Sequence, residues 1–464
     1  MSFTRRLPDR SRSVMVLVAS LAGAAAAVSC SGSDPSADAG DALDAAGHEA
    51  TGADAGSGPD GPDGPDAGDA DARSSALLDA ATTDAAPARI TCASERCATA
   101  LTTTLDSEGF CALLANKTVA CWGGNANAEL GRGEDAALVD GPTAERVVGL
   151  ADIVALEHTC AIDASGGVWC WGKGPYLRAA AAATTIEKTP VKLDLPPVTK
   201  LGVAATSACA VVDGGVQCWG ANTNGQVEVY GPTTNLGAPL PPREIAIPPG
   251  APIRDLYVGN ASFVVRTDGT VLSWGANPPL GRVSSLAPDP YPGAISVGTV
   301  LGMAAAADNA CALVEGIAHC WGNPLDTSIT TPPDPPPERK LPEPVLTPEP
   351  VVQIATTRSI ASQPTKNLRA VPQRSCAVGV SGALYCWGAN GSGQAGDGTT
   401  SFAYTPVAVV GLPGPVARVA TTPTATCALL TSGGVLCWGD GTYGQLGRGN
   451  LGLSSLVPQE VPLP

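Results

Sequence analysis

Fifteen cysteines are spread along the 464 residues, and their spacing is the first feature of the chain that could do chemistry. Twelve form six pairs set nine or ten residues apart: Cys111 and Cys121, Cys160 and Cys170, Cys209 and Cys218, Cys311 and Cys320, Cys376 and Cys386, Cys427 and Cys437. Cys92 and Cys97 make a closer pair, and Cys30 stands alone. Paired cysteines either bind a metal or bond to each other. A zinc site needs two pairs that converge, usually with Cys-x-x-Cys spacing, which never occurs here. Two cysteines directly opposed across a β-hairpin lie within bonding reach at the close, non-hydrogen-bonded sites. Where the turn is a residue shorter, so is the separation, as opposed positions require. Disulfides are the reading the spacing favours, with zinc and free thiols as the alternatives.

Other chemistry is scarce. The only histidines are His48, His158 and His319. No phosphate-binding glycine loop, nucleophile elbow or zinc-protease helix is present. Asp268-Gly269-Thr270 is not followed by the Trp of a sialidase box, and no pair of carboxylates separates into acid and nucleophile. No catalytic residue, metal site or cofactor is expected.

The cysteines sit in a repeated unit of Cys-Ala-Leu type, a glycine turn, and Cys-Trp-Gly. It reads CALLANKTVACWG from Cys111, CAIDASGGVWCWG from Cys160, CAVVDGGVQCWG from Cys209, CALVEGIAHCWG from Cys311, CAVGVSGALYCWG from Cys376 and CALLTSGGVLCWG from Cys427. A seventh copy, FVVRTDGTVLSWG from Phe263, has lost both cysteines together, as bonded partners would. The copies recur every 48 to 54 residues, except for an interval of 65 that holds a Pro-rich insertion. Two alternating runs flank turns such as Asp213-Gly214 and Asp268-Gly269, which predicts hairpins. A period near fifty suits four-stranded propeller blades. Alternation along a strand sends Cys and the following Trp to opposite faces. Trp122, Trp171, Trp219, Trp274, Trp321, Trp387 and Trp438 are therefore expected to pack between successive blades.

With its Asn-Gly loops and the trailing Gly444-Gln445-Leu446-Gly447, this unit resembles the regulator of chromosome condensation (alpha-tubulin suppressor-like) repeat, over roughly residues 95 to 464. The resemblance implies an all-β, seven-bladed β-propeller spanning 91–464. The chain ends on Leu456-Val457-Pro458-Gln459-Glu460-Val461, which reads like the opening of another unit. It is expected to close the ring by completing the first blade.

Upstream of the repeats the composition changes twice. Residues 31–90 carry thirteen acidic and two basic residues among Ala, Gly, Pro, Ser and Thr, a disordered tether that cannot offset its ordering entropy by burial. Residues 1–30 have Arg5, Arg6, Arg10 and Arg12, then an apolar run from Val14 to Val28, then Ser29-Cys30. The run is short for a membrane span. It resembles a bacterial lipoprotein signal, with Cys30 acylated after cleavage, although Ala27 stands where leucine is usual. Ser31 then favours the outer membrane by the same resemblance.

The expected function is a non-catalytic scaffold held at the membrane by its lipid, periplasmic or surface-exposed. It would bind a protein or glycan through loops on one propeller face, with a passive structural surface protein, and after it a propeller glycosidase, as the alternatives. Tyr176, Leu177, Tyr230, Tyr291 and Tyr404 are the loop candidates. A net charge of −16 with no Lys/Arg stripe argues against nucleic acid as a partner, and nothing points to a nucleotide. The nucleotide-exchange activity of the eukaryotic namesake is not carried over, since fold does not fix function.

Overall fold

Alternating apolar runs punctuated by tight turns form twenty-eight strands among the described residues of a computed structural model, which describes 87–104, 107–177, 185–230, 238–322, 339–358 and 373–464. The lipoprotein-like signal with Cys30, and the tether as far as residue 86, lie outside them. The strands make seven antiparallel four-stranded sheets, each from consecutive strands, so the fold is the seven-bladed propeller expected. Blade 1 runs from Ala98–Thr103 through Gly109–Leu114 and Val119–Gly123 to Gly141–Arg146. Blade 7 runs from Val416–Thr421 through Ala425–Leu430 and Val435–Gly439 to Ser455–Glu460. The first strands of neighbouring blades contact one another all the way round, so they form the inner ring.

The end of the chain differs from expectation. Ser455–Glu460 pairs with its own hairpin, Leu436 opposite Glu460 and Cys437 opposite Gln459, and blade 1 has a fourth strand of its own. The Pro-x-x-Val stretch is the last strand of a blade rather than the opening of the next, as Thr405-Pro406-Val407 inside Ala403–Ala408 also shows. A strand beside its own hairpin needs only a short connection, so every blade completes itself locally. The ring closes side to side instead. Thr91 N donates to Thr431 O, Ala98 N to Gly433 O, and Gly449 N to Pro142 O, at 2.7 to 2.9 Å. Ile90 packs into the blade 1–blade 7 core, so the docked chain begins within the stretch expected to be tether.

One arrangement builds six of the seven interfaces. The paired cysteines of a blade pack against the Trp of the blade after it: Cys111 and Cys121 with Trp171, Cys209 and Cys218 with Trp274, and round to Cys427 and Cys437 with Trp122. The six hairpin pairs are bonded, with Cα atoms 4.0 to 4.1 Å apart, and Cys92 bonds Cys97 at 5.6 Å. Six of the seven indole N–H groups donate to a carbonyl in the loop between the third and fourth strands of the preceding blade. Trp171 reaches Glu129, Trp219 Tyr176, Trp274 Gln226, Trp321 Pro279, Trp438 Gln394, and Trp122 reaches Gln445, all at 2.7 to 3.1 Å. Trp387 is buried in the sixth interface.

The loops that receive the indoles tie themselves. Asn222 Oδ1 accepts from Val227 N, and Gln226 Oε1 from Asn224 N; Asn390 with Gln394, and Asn125 with Glu129, repeat the pattern. The glycine after the Gln-x pair leaves room for the ring. A Cβ on Gly447, whose φ is +67°, would fall 3.1 Å from Trp122. In blade 4, where the cysteines are missing, Phe263 faces Ser273 across the hairpin and meets Trp321 edge-on at 5.8 Å between centroids.

Phe263 thus fills the room that a disulfide fills elsewhere. Phe263→Ala should cost about 3–5 kcal/mol, the usual range for emptying a buried aromatic site. Denaturant unfolding under oxidising conditions measures it; a loss below about 1 kcal/mol would mean that the neighbouring blades collapse into the space.

Candidate functional site

Because the first strands form the inner ring, their C-terminal ends and the turns that follow surround the mouth of a central channel. A cavity of about 1220 Å³ opens there, lined from all seven blades. Its wall includes Thr103, Thr104 and Glu108 of blade 1, His158 of blade 2, Asn260 of blade 4, Thr356 and Thr357 of blade 6, and Thr421, Thr422 and Thr424 of blade 7. The loops between third and fourth strands stand around it, contributing Leu138, Val139 and Asp140 from blade 1 and Asp440, Tyr443 and Leu451 from blade 7.

The polar groups at the mouth tie adjacent blades together. Thr422 Oγ1 donates a short hydrogen bond to Glu108 Oε2, joining blade 7 to blade 1. Beneath it lies Arg374, wholly buried, donating to the carbonyls of Thr422 at 2.7 Å, Ala425 at 2.8 Å and Gln394 at 3.0 Å. Deeper in the ring, the amide of Gln353 donates to Val419 O and accepts from Val419 N, copying a strand edge. A buried charge is tolerable only when hydrogen-bonded in this way.

His158 links blade 2 to blade 1. Its Nδ1 lies 3.1 Å from the carbonyl oxygen of Thr103 and 3.2 Å from Thr103 Oγ1, while Nε2 is 3.7 Å from Glu157. Among the described residues, no group of three or more His, Cys, Asp or Glu side chains is placed to hold a metal ion. The mouth can hydrogen-bond, pair with a charge, and bury apolar surface.

The loop candidates divide. Tyr291 and Tyr404 are exposed. Tyr230 is half-buried, its hydroxyl donating to Thr223 O at 2.7 Å. Tyr176 and Leu177 are wholly buried, a correction to the expectation that they are exposed. Their loop is the receiving loop of blade 2, so they pack under Trp219. The exposed apolar residues at the mouth are others: Val139, 67% exposed, Leu451 at 53%, Tyr443 at 46% and Leu138 at 42%. All four follow a Trp-Gly by several residues, in loops whose apolar content is the one signal that could have marked them.

Burial raises the pKa of Glu108 above its ordinary 4.5, while the hydrogen bond from Thr422 and the charge of Arg374 pull it down. The ionised form is therefore the costlier one in the folded state. The penalty is present above the raised value and fades as the pH falls through it towards 4.5, where folded and unfolded chains both carry the proton. Glu108→Gln should remove that pH dependence and match or exceed the parent in stability at pH near neutrality. Thermal melts of both proteins across the acidic range test this; parallel profiles would show that Glu108 bears no such penalty.

The regulator of chromosome condensation (RCC1) repeat matches residues 381–429 and 432–464, from the hairpin of blade 6 to the end of blade 7. The chain is 32% identical to Protein RCC2 of Mus musculus over 134 residues, 27% of this chain and 24% of that protein, so it spans about a quarter of this relative's length. It is 29% identical to the ultraviolet-B receptor UVR8 of Arabidopsis thaliana over 355 residues, 73% of this chain and 76% of the receptor. Among solved structures, Prp20p of Saccharomyces cerevisiae shares the fold with a TM-score of 0.58 at 18% identity, covering 79% of this chain and 88% of that one. Repeats of the RCC1 type thus match near the C-terminal end of the ring, and all seven blades are built on one pattern.

Proposed function

We propose that the chain is a non-catalytic protein-binding scaffold, anchored to a bacterial cell envelope through acylated Cys30 and presenting the channel mouth to its partner. The observation that carries this is the group of exposed apolar side chains, Leu138, Val139, Tyr443 and Leu451, on the rim of a cavity that also carries carboxylates and hydroxyls. Soluble surfaces seldom gather large apolar side chains without a use for them, and an apolar patch beside polar groups is what a protein interface contains. Prp20p, which has this fold, binds Gsp1p and histones, and that also supports a protein partner. The envelope location rests on the sequence of the first thirty residues.

The binding test is capture from envelope and secreted fractions by the oxidised full chain, with Tyr443→Asp and Leu451→Asp set beside Tyr404→Ser. A saturable partner whose affinity falls roughly thirtyfold in the two rim variants, as loss of about 2 kcal/mol at an interface centre would give, supports the scaffold. A partner held equally by all four proteins excludes the mouth as its site.

Anchoring is tested separately by growing cells with an alkyne fatty acid. The parent chain should take up label and sediment with membranes, and Cys30→Ser should do neither. Label retained by Cys30→Ser, or a parent chain without label, rules out acylation at this cysteine.

A further inference from the structure

The mouth also specifies the chemistry of what enters it, an inference that rests on the protein-binding reading above. Its described wall carries three carboxylates, Glu108, Asp140 and Asp440, against one guanidinium, Arg358, which already has a partner. Asp140 Oδ1 accepts from Asn125 N at 3.1 Å, and Asp440 Oδ1 accepts from Thr442 and Ser454, so both side chains are held in place with Oδ2 left over among the described residues. The cation nearest in effect to Glu108 is Arg374, but its Nη1 and Nη2 donors are taken up by carbonyls, a hydroxyl and a sulfur. Arg374 therefore acts on Glu108 through its field rather than through a bond. The carboxylates share the mouth with the exposed apolar side chains Leu138, Val139, Tyr443 and Leu451, so negative charge and apolar area lie together there.

We infer that the mouth receives a basic, apolar segment of a protein partner: a Lys or Arg side chain enters between Glu108, Asp140 and Asp440, and aliphatic or aromatic neighbours cover Leu138, Val139, Tyr443 and Leu451. The arriving cation gives Glu108 a charge-assisted hydrogen bond in a desolvated setting, where such bonds are strongest. The ring of Tyr443 on the rim offers its face to the same cation. The apolar side chains then exclude water from the pair, which lowers the local dielectric and strengthens it. A uniformly apolar partner would leave the carboxylates desolvated and unpaired, and an acidic one would add repulsion.

The test is selection of a random dodecapeptide display library on the oxidised full chain, followed by titration of a synthetic peptide from the most enriched clone. The expected result is a consensus with Lys or Arg beside Leu, Phe or Tyr. Its affinity should fall about tenfold or more in Glu108→Gln and in Asp140→Asn/Asp440→Asn, the loss of one charged hydrogen bond, and should weaken as salt rises. The rim double variant keeps the test decisive should Glu108→Gln fail to fold. Enriched peptides without a basic residue, an affinity unchanged in these variants, or no enrichment at all would each overturn the inference. If uncharged peptides bind and still require Leu451, the protein-binding reading survives while this one fails; if nothing that binds depends on the four rim residues, both fail.

Discussion

An indole laid against the neighbouring blade's disulfide, with its N–H on that neighbour's loop carbonyl, is the interaction on which the rest of this propeller depends. It performs three tasks in one place. The ring supplies apolar area in the interface, the N–H satisfies a buried loop carbonyl, and the bridge beneath it keeps the facing hairpin rigid. The loop is shaped for the contact by its own Asn and Gln side chains, so each blade prepares the seat for the next.

The same interaction explains how the ring closes with no blade shared between the termini. Trp122 of the first blade docks on Gln445 of the last just as Trp171 docks on Glu129, so the closing interface is chemically like the one between blades 1 and 2. The N-terminal segment adds hydrogen bonds from Thr91 and Ala98 to the last turn of blade 7. Blade 4 shows what the interface requires: with both cysteines gone, an aromatic ring restores the contact with Trp321. Volume against the indole is the conserved demand within this chain, and a disulfide is one way to supply it.

Once the blades are held in this way, the inner strand ends converge, and residues scattered across the sequence become neighbours. Glu108 and Thr422 are 314 positions apart and hydrogen-bonded. Arg374, buried below them, joins blade 6 to blade 7 and supports the carboxylate by its charge. The mouth combines these inter-blade ties with an apolar rim.

Much of this was legible before any coordinates, because it is local. The hairpins were legible from alternation and Asp-Gly turns, the cysteine pairs from equal spacing across those turns, and the blade number from seven Trp-Gly copies; hairpin pairing joins residues only a few positions apart. What only the tertiary structure decided was non-local. The terminal strand looked like the start of a unit because a sequence period has no intrinsic origin, and hydrogen bonding to Val435–Gly439 placed it at the end of one. Tyr176 and Leu177 looked like surface residues because their loop is short of the usual Asn and Gln, yet Trp219 from the next blade covers them. The mouth residues carried little signal, since most are an ordinary Thr, Glu or Val near a turn, and only the apolar content of two loops could have marked the rim. They become a site only when ring closure brings seven strand ends round one axis.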